Sequence, residues 1–487
     1  MHQQALGARS DGMDTTVTPV RLTGSQALRW GWRFARDPLI ATRRSLDSFG
    51  PLVILTEALP FIRPTRAVML GVPLVWTAGA VFYRELLSDP DRWRGTSLLP
   101  GGPKHSAARR TSSGLTRMTG YRHTHYRKLL LNPLRRTNVK ALLKDMVVLA
   151  EREIASWPLE KMIDLWEYAR RLMRVFAVEL LFGGGGDQAY SIADLVSRLM
   201  EHKWDRRAFI FPINLPNTLY GQIVRESEDL EKRLLVWVAG KRGRFDNRDL
   251  ASIIVNSPDA DGNLADDATV VGQLPSLFAA ASEASQGVLA WTLLILMQHP
   301  RVAEALLDEL RHELGGASPS LEGAVDLPLL DAVVKESMRI LPPVPLQIRV
   351  AQCDTTIAGN EIPQGSRVIL NTFLTNRMPE LYLEGDLFRP ERWFTIAPNA
   401  FEFPVFSAGP HSCPGYWFGS TAVKVALAAI LTRYRMNLPV DARIDYRVQP
   451  TMRPLAGIPV FLTLQHGGTH SATPISGKIR DLVSFPH

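Results

Sequence analysis

Hydrophobic residues recur at helical spacing over most of the chain, whereas strand-like alternation is confined to a smaller part. Strand patterns occur near the N-terminus and again between Arg349 and Phe373, in TTIAGNEIPQG and SRVILNTF, with turn residues between them. The pattern therefore predicts a mainly α fold with a small β lobe. The clearest predicted helices lie at residues 77–90, 121–151, 172–182, 232–241 and 267–298.

Polar sequence at both ends flanks one long region with folded character. The first residues, MHQQALGARSDGMDTTVTP, lack the basic and then apolar pattern of a secretory signal, so residues 1–30 are predicted to be a flexible leader. Residues 466–487 are rich in Gly, Ser, Thr and Pro and are predicted to be a flexible tail. Residues 31–465 are expected to form a single domain.

Two apolar runs begin at Pro51 and Ala67, but Pro, Glu or Gly interrupts both, and each is shorter than a bilayer-spanning helix. No transmembrane segment is expected from them. Lys and Arg exceed Asp and Glu by 56 − 48 = 8, without a dense basic run or a nucleic-acid motif. A solvated basic surface is therefore favoured over a nucleic-acid partner.

The two cysteines, Cys353 and Cys413, lie far apart and form no Cys-x-x-Cys pair, so neither a disulfide framework nor a zinc cluster is indicated. A monomeric protein of the reducing cytoplasm is expected.

Residues Phe406 to Gly415 read FSAGPHSCPG and place Cys413 in a loop just before a predicted helix. A helix N-terminus favours the thiolate, and small neighbouring residues let the backbone approach a flat ligand. One thiolate suffices to hold one haem iron, where it favours O–O bond cleavage. An inert buried cysteine is the alternative, and Cys413 alone does not decide between the two.

The stretch FSAGPHSCPG resembles the haem-binding signature Phe-x-x-Gly-x-Arg/His-x-Cys-x-Gly of the cytochrome P450 family. Three further matches follow the family's order: the His-x-x-x-Arg of HTHYRK, the Glu-x-x-Arg of KESMR and the FRPERW segment from Phe388. The resemblance, to soluble bacterial members, spans roughly residues 68–464. It implies the P450 fold, a helical triangular prism with a small β lobe, and haem b (iron protoporphyrin IX) as the cofactor.

The resemblance also implies roles for individual residues. Cys413 would be the axial ligand of the iron, with Phe406, Gly409 and Gly415 shaping its loop. Glu336 and Arg339, three apart on a helix, would lock the core together with Arg392, although such a pair taken alone is more often a solvated surface pair. The residues implied to bind the haem propionates are His123, Arg127, Arg349 and His411.

The long predicted helix departs from the family's pattern. Where members typically carry Ala-Gly-x-Asp/Glu-Thr-Thr over the oxygen-binding face of the haem, this chain has Ala280, Ala281, Ser282, Glu283, Ala284 and Ser285. The acid is kept as Glu283, but Ala284 replaces the threonine that donates to bound oxygen. Ser282, Ser285, an ordered water or a substrate hydroxyl are the predicted proton donors; alternatively, both serines only bond the helix backbone.

Pro414 directly follows the cysteine and has no N–H, which predicts a more electron-rich thiolate and a lowered reduction potential. Cys-Pro-Gly also occurs in peroxide-using fatty-acid hydroxylases of the same superfamily, which bind the substrate carboxylate with a distal arginine. Residues 274–287 contain no arginine, so an O2-dependent monooxygenase is favoured. A peroxygenase and a non-catalytic haem protein that binds or senses small molecules are the alternatives.

The resemblance implies partners as well. No flavin or iron–sulfur sequence is present, so electrons are expected from a ferredoxin or flavodoxin with its reductase. FIFPINLPNTLYG from Phe209 resembles the cap of members that oxidise lipophilic molecules, so a natural-product intermediate, a terpenoid or sterol, or another lipid is the expected substrate. Basic residues that would suit an acidic partner are Arg122, Arg127, Lys128, Arg135, Arg136, Lys140 and Lys144.

Overall fold

A computed structural model describes residues 18–55, 73–96, 102–184, 186–205, 207–208, 211–244, 249–259, 261–315, 320–465 and 472–485. Helices dominate, as the hydrophobic pattern predicted. They are α1 (Gly24–Arg36), α2 (Pro38–Phe49), α3 (Ala80–Leu87), α4 (Ala107–Arg110), α5 (Gly120–Leu131), α6 (Arg136–Ala141), α7 (Leu143–Ala155), α8 (Leu165–Phe182), α9 (Gly186–Trp204), α10 (Leu219–Lys241), α11 (Leu250–Asn256), α12 (Asp267–Gln298), α13 (Pro300–Leu314), α14 (Leu321–Ala324), α15 (Pro328–Ile340), α16 (Thr372–Thr375) and α17 (Tyr416–Arg433).

The long helix α12 is the centre of the helical region. Its N-terminus is capped by Asp266, whose carboxylate accepts from the Thr269 N–H at 2.6 Å. It packs along α8 and also against α17, and nearly every side chain from Ser285 to Leu296 is buried. Among the described residues, α12 is long and apolar enough to span a membrane by length and composition, and 72% of its most apolar window is buried inside the protein. Such burial is typical of a core helix.

The β lobe is built around a six-stranded mixed sheet in the order β1-β2-β3-β9-β6-β4. Strands from the N-terminal part thus pair with strands from the segment predicted between Arg349 and Phe373, and β3 runs parallel to β9 with Trp76 opposite Ile369. The strands are β1 (Val20–Leu22), β2 (Leu52–Leu55), β3 (Leu74–Thr77), β4 (Trp93–Gly95), β5 (Met162–Asp164), β6 (Leu346–Ala351), β7 (Thr355–Ile357), β8 (Asn360–Ile362), β9 (Arg367–Asn371), β10 (Tyr434–Asn437), β11 (Tyr446–Gln449), β12 (Thr451–Pro454) and β13 (Pro459–Leu464).

Smaller sheets surround the helices. Strands β10, β13 and β5 form an antiparallel sheet, while β7–β8 and β11–β12 are hairpins. The β11–β12 hairpin lies against α12, where the Trp291 indole N–H donates to the Met452 carbonyl at 3.0 Å. This contact brings the charged side chains of the hairpin close to the middle of the central helix.

The ends of the chain are more ordered than predicted. Residues 20–30 of the expected flexible leader form β1, which pairs with β2, and the first half of α1. Residues 472–485 of the expected flexible tail are packed: Ile479 and Val483 are buried, and the Leu482 carbonyl accepts from Arg377 at 2.9 Å. Those parts of the prediction are wrong because apolar side chains within polar sequence dock on the core. Residues 1–17, 466–471 and 486–487 lie outside the described residues.

Candidate functional site

The signature loop is a tight backbone turn around Cys413. The Cys413 N–H donates to the Phe406 carbonyl at 2.7 Å, and the Ser412 N–H donates to the Gly409 carbonyl at 3.0 Å. Gly409 has a φ of +64°, and a Cβ there would clash with the Leu87 carbonyl oxygen, so only glycine fits. The Phe406 ring packs edge-on against Tyr416, the first residue of α17. The loop therefore places the thiol just before a helix N-terminus, as predicted.

The Cys413 thiol meets opposing electrostatic influences. Its side chain is exposed at the surface of the loop, yet the surrounding protein removes much of the water around it, and this burial raises the pKa of the thiol. Two groups oppose this effect of burial and lower the pKa of the thiol: the Gly415 N–H, which donates a hydrogen bond to the sulfur, and the Arg127 guanidinium. Pro414, between Cys413 and Gly415, offers no N–H. The loop thus supplies one backbone N–H, that of Gly415, to the sulfur. A residue other than proline at position 414 would bring a second N–H close to it.

Basic side chains gather beside this loop, as the family's propionate positions imply. The rings of His123 and His411 lie 4.3 Å apart between centroids. The Arg127 guanidinium donates to the Ser412 hydroxyl at 3.0 Å. Arg349 comes from strand β6 and is buried, at 7% exposure. The structure thus brings together basic side chains from three segments that are distant in sequence: α5, β6 and the Cys413 loop.

Burial lowers the pKa of all four basic groups. The pKa of His411 falls to about 4 through burial and then through the charges of His123, Arg349 and Arg127. The pKa of Arg349 falls to about 10 through burial. None of the four forms an ion pair with a carboxylate of the described residues. Such a cluster is stabilised by an anion that binds between its members.

The features of this site fit a haem. The porphyrin needs one axial ligand, which Cys413 would supply, and donors for two propionates, which the uncompensated cluster of His123, Arg127, Arg349 and His411 would supply. Ala280, in the middle of the buried helix α12, is exposed, so the described residues leave space beside that point of the helix. Among the described residues, no group of three or more His, Cys, Asp or Glu side chains could hold a metal ion.

The serines of α12 are placed less favourably for chemistry than the sequence pattern implied. The Ser282 hydroxyl donates to the Phe278 carbonyl at 2.9 Å, one turn back in the helix. Ser285 is buried against α17, where a Cβ on Gly419 would lie 3.4 Å from its hydroxyl oxygen. Ser282 thus bonds the helix backbone, which was the alternative to a role as proton donor. Ser285 faces the neighbouring helix α17.

Glu283 is the ionisable side chain within this part of α12. Burial raises its pKa to about 7, the charge of Arg453 opposes the shift and that of Glu201 adds to it. The carboxyl makes no hydrogen bond or ion pair with another described residue. Arg453 belongs to β12, and its Nε is buried without a hydrogen-bond partner in the part of the chain that is described. At neutral pH, Glu283 therefore holds a proton in a substantial part of the molecules.

The predicted cluster around Glu336 is fully formed. Glu336 and Arg339 are both 0% exposed, and their side chains form two parallel hydrogen bonds at 2.8 and 2.9 Å. Arg392 adds a bond at 3.0 Å, as expected from the resemblance. Two further donors to the same carboxylate carry no signal in the sequence pattern: the Trp393 indole and the Arg389 backbone N–H, each at 2.9 Å. These contacts hold the pKa of Glu336 below its usual value although burial alone would raise it.

The predicted docking surface is only partly free. Arg136 and Lys140 both pair with Asp326, at 3.1 and 2.7 Å. The Arg136 guanidinium also lies over the exposed ring of Trp417, at the start of α17. Lys144 is exposed on α7. The surface near the Cys413 loop therefore combines cations, one carboxylate and an exposed aromatic ring.

One buried lysine was not predicted from the sequence. Lys203, on α9, is 2% exposed, and its ammonium donates to the Ser112 hydroxyl at 2.7 Å. No motif marks this residue, because a lysine near the end of a helix is usually a surface residue. Its burial becomes visible only in the folded chain, where Ser112 lies within hydrogen-bonding distance of its ammonium.

The sequence and the fold of this chain are both similar to those of known proteins. The profile of the family described as Cytochrome P450 matches residues 91–454. The structure of retinoic acid-bound cyanobacterial CYP120A1 superposes with a TM-score of 0.75 at 22% identity, covering 92% of this chain and 99% of that one. This likeness shows the fold. The prediction of a mainly α fold with a small β lobe is confirmed.

Two curated relatives carry functional names. Pentalenene oxygenase from Streptomyces avermitilis is 30% identical over 199 residues, which cover 40% of this chain and 44% of that protein. Germacrene A hydroxylase from Barnadesia spinosa is 30% identical over 266 residues, which cover 53% of this chain and 51% of that protein. The chain thus aligns with about half or less of the length of these relatives.

Proposed function

The chain belongs to the cytochrome P450 family, and on that premise we propose that it is a haem-thiolate monooxygenase that uses O2 to oxidise a lipophilic small molecule. The observation that carries the proposal is the Cys413 thiol, open beside a cluster of four basic side chains that lacks a carboxylate partner among the described residues. When bound, haem b supplies the chemistry of oxygen activation and insertion into C–H bonds.

The residues around the cofactor position would each have a separate task. Cys413 would hold the iron through its thiolate, and Arg127, which lowers the pKa of that thiol, would favour the charged form. His123, Arg349 and His411 would donate to the propionates, whose charges raise the pKa of the imidazoles in return. Gly409 and Gly415 would let the loop backbone approach the porphyrin face. The Glu336 cluster would keep these elements in register without touching the cofactor.

Proton delivery is the step where this chain departs from the family's pattern. Ala284 has no hydroxyl to donate, and the Ser282 hydroxyl is already bonded to the helix backbone. Glu283, protonated in part at neutral pH, is the remaining side chain of this stretch with a proton to give. We assign it the task of passing protons toward the reacting oxygen, with an ordered water or a substrate hydroxyl in place of the missing threonine. Ser285 could contribute only by turning away from α17.

The substrate class rests on relatives and on composition. Pentalenene and germacrene A, named in two relatives, are terpenoids, which supports a terpenoid or similar natural-product intermediate. The segment predicted to cap the substrate pocket exposes Phe211, Ile213 and Leu215, at 62%, 52% and 54%. Residues 209–210 of that segment lie outside the described part of the chain. Apolar side chains at an entrance favour an apolar substrate.

Electrons would come from a separate ferredoxin or flavodoxin with its reductase, in the cytoplasm. The surface around Lys140, Lys144 and Trp417 supports docking, since it is basic, carries an exposed aromatic ring and adjoins the helix that follows Cys413. Docking at this surface would give electrons a short route to the thiolate side of the haem.

The proposal is tested on the purified haem-loaded protein. Its reduced carbon monoxide adduct should show the red-shifted Soret band of thiolate-ligated haem, and Cys413→Ala should abolish that band. Cys353→Ala, at the exposed second cysteine, is the matched control and should leave the band intact. A wild-type protein without the band would refute thiolate ligation.

A second measurement separates the reaction types. With a surrogate ferredoxin and reductase and a terpenoid substrate, NADPH consumption should be coupled to product. Turnover with hydrogen peroxide alone would favour a peroxygenase, and substrate binding without either reaction would favour a sensor.

A further inference from the structure

Lys203 is a buried cation whose hydrogen-bonding capacity is largely unused. Its ammonium has three N–H groups, and one of them donates to the Ser112 hydroxyl at 2.7 Å. That hydroxyl donates in turn to the Ala108 carbonyl at 2.7 Å, so its own proton is directed away from the lysine. The Ser112 oxygen is thus fixed as an acceptor, and within the described part of the chain no other acceptor binds the remaining N–H groups of Lys203.

Among the described residues, the charged side chain that shifts the pKa of Lys203 is a cation, Arg117. Lys203 forms no ion pair with any carboxylate in the described ranges, and Arg117 brings a second cation close to it. The neighbouring Arg110 binds Glu231 of α10 through two bonds, at 2.5 and 2.7 Å. Burial, and then Arg117, lowers the pKa of Lys203 to about 7. A buried ammonium without a counter-charge is costly, and a bound anion would remove most of that cost.

The surroundings of Lys203 connect it to the central helix. Ser113, next to Ser112, lies so close to α12 that a Cβ on Gly272 would clash with its hydroxyl. The Leu115 N–H donates to the Gln273 side chain at 3.0 Å, which holds the same loop on the helix. Gly272 and the exposed Ala280 are eight residues apart, or about 12 Å at the helical rise of 1.5 Å per residue. The loop that contacts Lys203 through Ser112 thus meets α12 about 12 Å from Ala280, measured along the helix.

We propose that Lys203, positioned by its bond to Ser112, forms an anchor for a carboxylate group of the substrate, whose apolar part extends along α12 toward Ala280. The inference rests on the proposed function, since it names the substrate class of that same site: a lipophilic acid oxidised far from its carboxylate. A carboxylate would accept from the free N–H groups of Lys203 and supply the missing negative charge. Arg117 would add long-range attraction, and the absence of charged side chains from residues 269–279 of α12 would suit the apolar part.

The test compares an acid with its neutral ester on the haem-loaded protein. Dodecanoic acid and methyl dodecanoate share their apolar chain and differ in charge. Binding of each is measured by calorimetry at neutral pH, without redox partner or turnover. The variants are Lys203→Met, which keeps the length of the side chain and removes its charge, and Lys203→Arg, which restores a charge. Lys232→Met, at an exposed lysine of α10, is the matched control.

Wild-type protein should bind the acid more tightly than the ester. Lys203→Met should weaken acid binding roughly 10- to 100-fold, the effect of losing a hydrogen bond to a charged group, and should leave ester binding unchanged. Lys203→Arg should recover part of the affinity for the acid, and Lys232→Met should behave as wild type. Because burying an uncompensated amine is unfavourable, the thermal midpoint of Lys203→Met should not fall.

Three results would overturn the anchor. Wild-type protein that binds no dodecanoic acid, equal affinities for acid and ester, or an equal loss of both ligands in Lys203→Met would each assign Lys203 a purely structural role. These outcomes are distinguishable from failure of the proposed function, which the carbon monoxide adduct reports separately. A normal Soret band with no preference for the acid would refute only the anchor.

Discussion

Replacing Glu283 with Gln should change how the stability of the protein depends on pH. Burial raises the pKa of Glu283 to about 7 in the folded protein, against an ordinary value of 4.5. Between these two pH values the folded protein keeps a proton that the unfolded chain has released. The free energy of unfolding therefore falls as pH rises from 4.5 to about 7, and the loss is complete above that range.

The size of this effect follows from the same two values. At 1.36 kcal/mol per pH unit, the interval from 4.5 to about 7 corresponds to about 3 kcal/mol. Glu283 is half-buried by surface area, so water screens part of the penalty and this figure is an upper value. Glu283→Gln has no proton to release. The difference in unfolding free energy, wild type minus variant, should thus fall by at most about 3 kcal/mol across the interval.

The assay is urea unfolding of the haem-loaded protein, followed by circular dichroism at several values from about pH 5 to about pH 8. Glu361→Gln, at an exposed carboxyl of β8, controls for the loss of a surface charge. Parallel pH profiles of wild type and Glu283→Gln would refute the raised pKa. Parallel profiles are also the result expected if Arg453 holds the carboxyl ionised, and the proton-donating task would then lose its support.

Three further predictions concern the remaining parts of the site. Glu336→Gln should lower the free energy of unfolding by about 3–5 kcal/mol in urea titrations, because it leaves buried arginines without a counter-charge; a loss near that of the exposed-site variant Glu391→Gln would contradict this. Pro414→Ala adds an N–H beside the thiolate sulfur and should raise the reduction potential measured by spectroelectrochemistry, and an unchanged potential would count against the idea. The double change Lys140→Glu and Lys144→Glu should slow reduction by an acidic ferredoxin at low salt in stopped-flow measurements and have little effect at high salt, whereas an unaffected rate at low salt would discredit this docking surface.

The features that were predictable from the sequence are those with a local signal. The Cys413 loop is readable because its small residues, its cysteine and the following helix are contiguous. The Glu336–Arg339 pair is readable because a spacing of three places both side chains on one helix face. The pattern of residues 267–298 predicted the bounds of this long helix, because apolar residues predominate over most of its length.

The features that were missed depend on contacts between distant segments. The tail has the composition of a disordered segment, yet Ile479 and Val483 dock in the core, because a few apolar side chains suffice when a matching surface is available. Strand β1 forms only because β2 offers its edge. Lys203 is buried where it contacts Ser112, about ninety residues earlier in the chain, and no spacing within α9 indicates this. Hydrophobic periodicity describes a single helix or strand and does not indicate which distant segment packs against it.

The ionisable groups of the site share a tendency that bears on the reaction. Burial lowers the pKa of His411 and Lys203 and raises that of Glu283, so the interior favours the neutral form of each. Haem propionates would bring negative charge to His411, and a substrate carboxylate would do the same at Lys203, which raises the pKa of both basic groups. Neither anion brings positive charge to Glu283, whose neighbouring cation is Arg453. Filling the site should therefore leave Glu283 protonated, which is the state a proton donor requires at neutral pH.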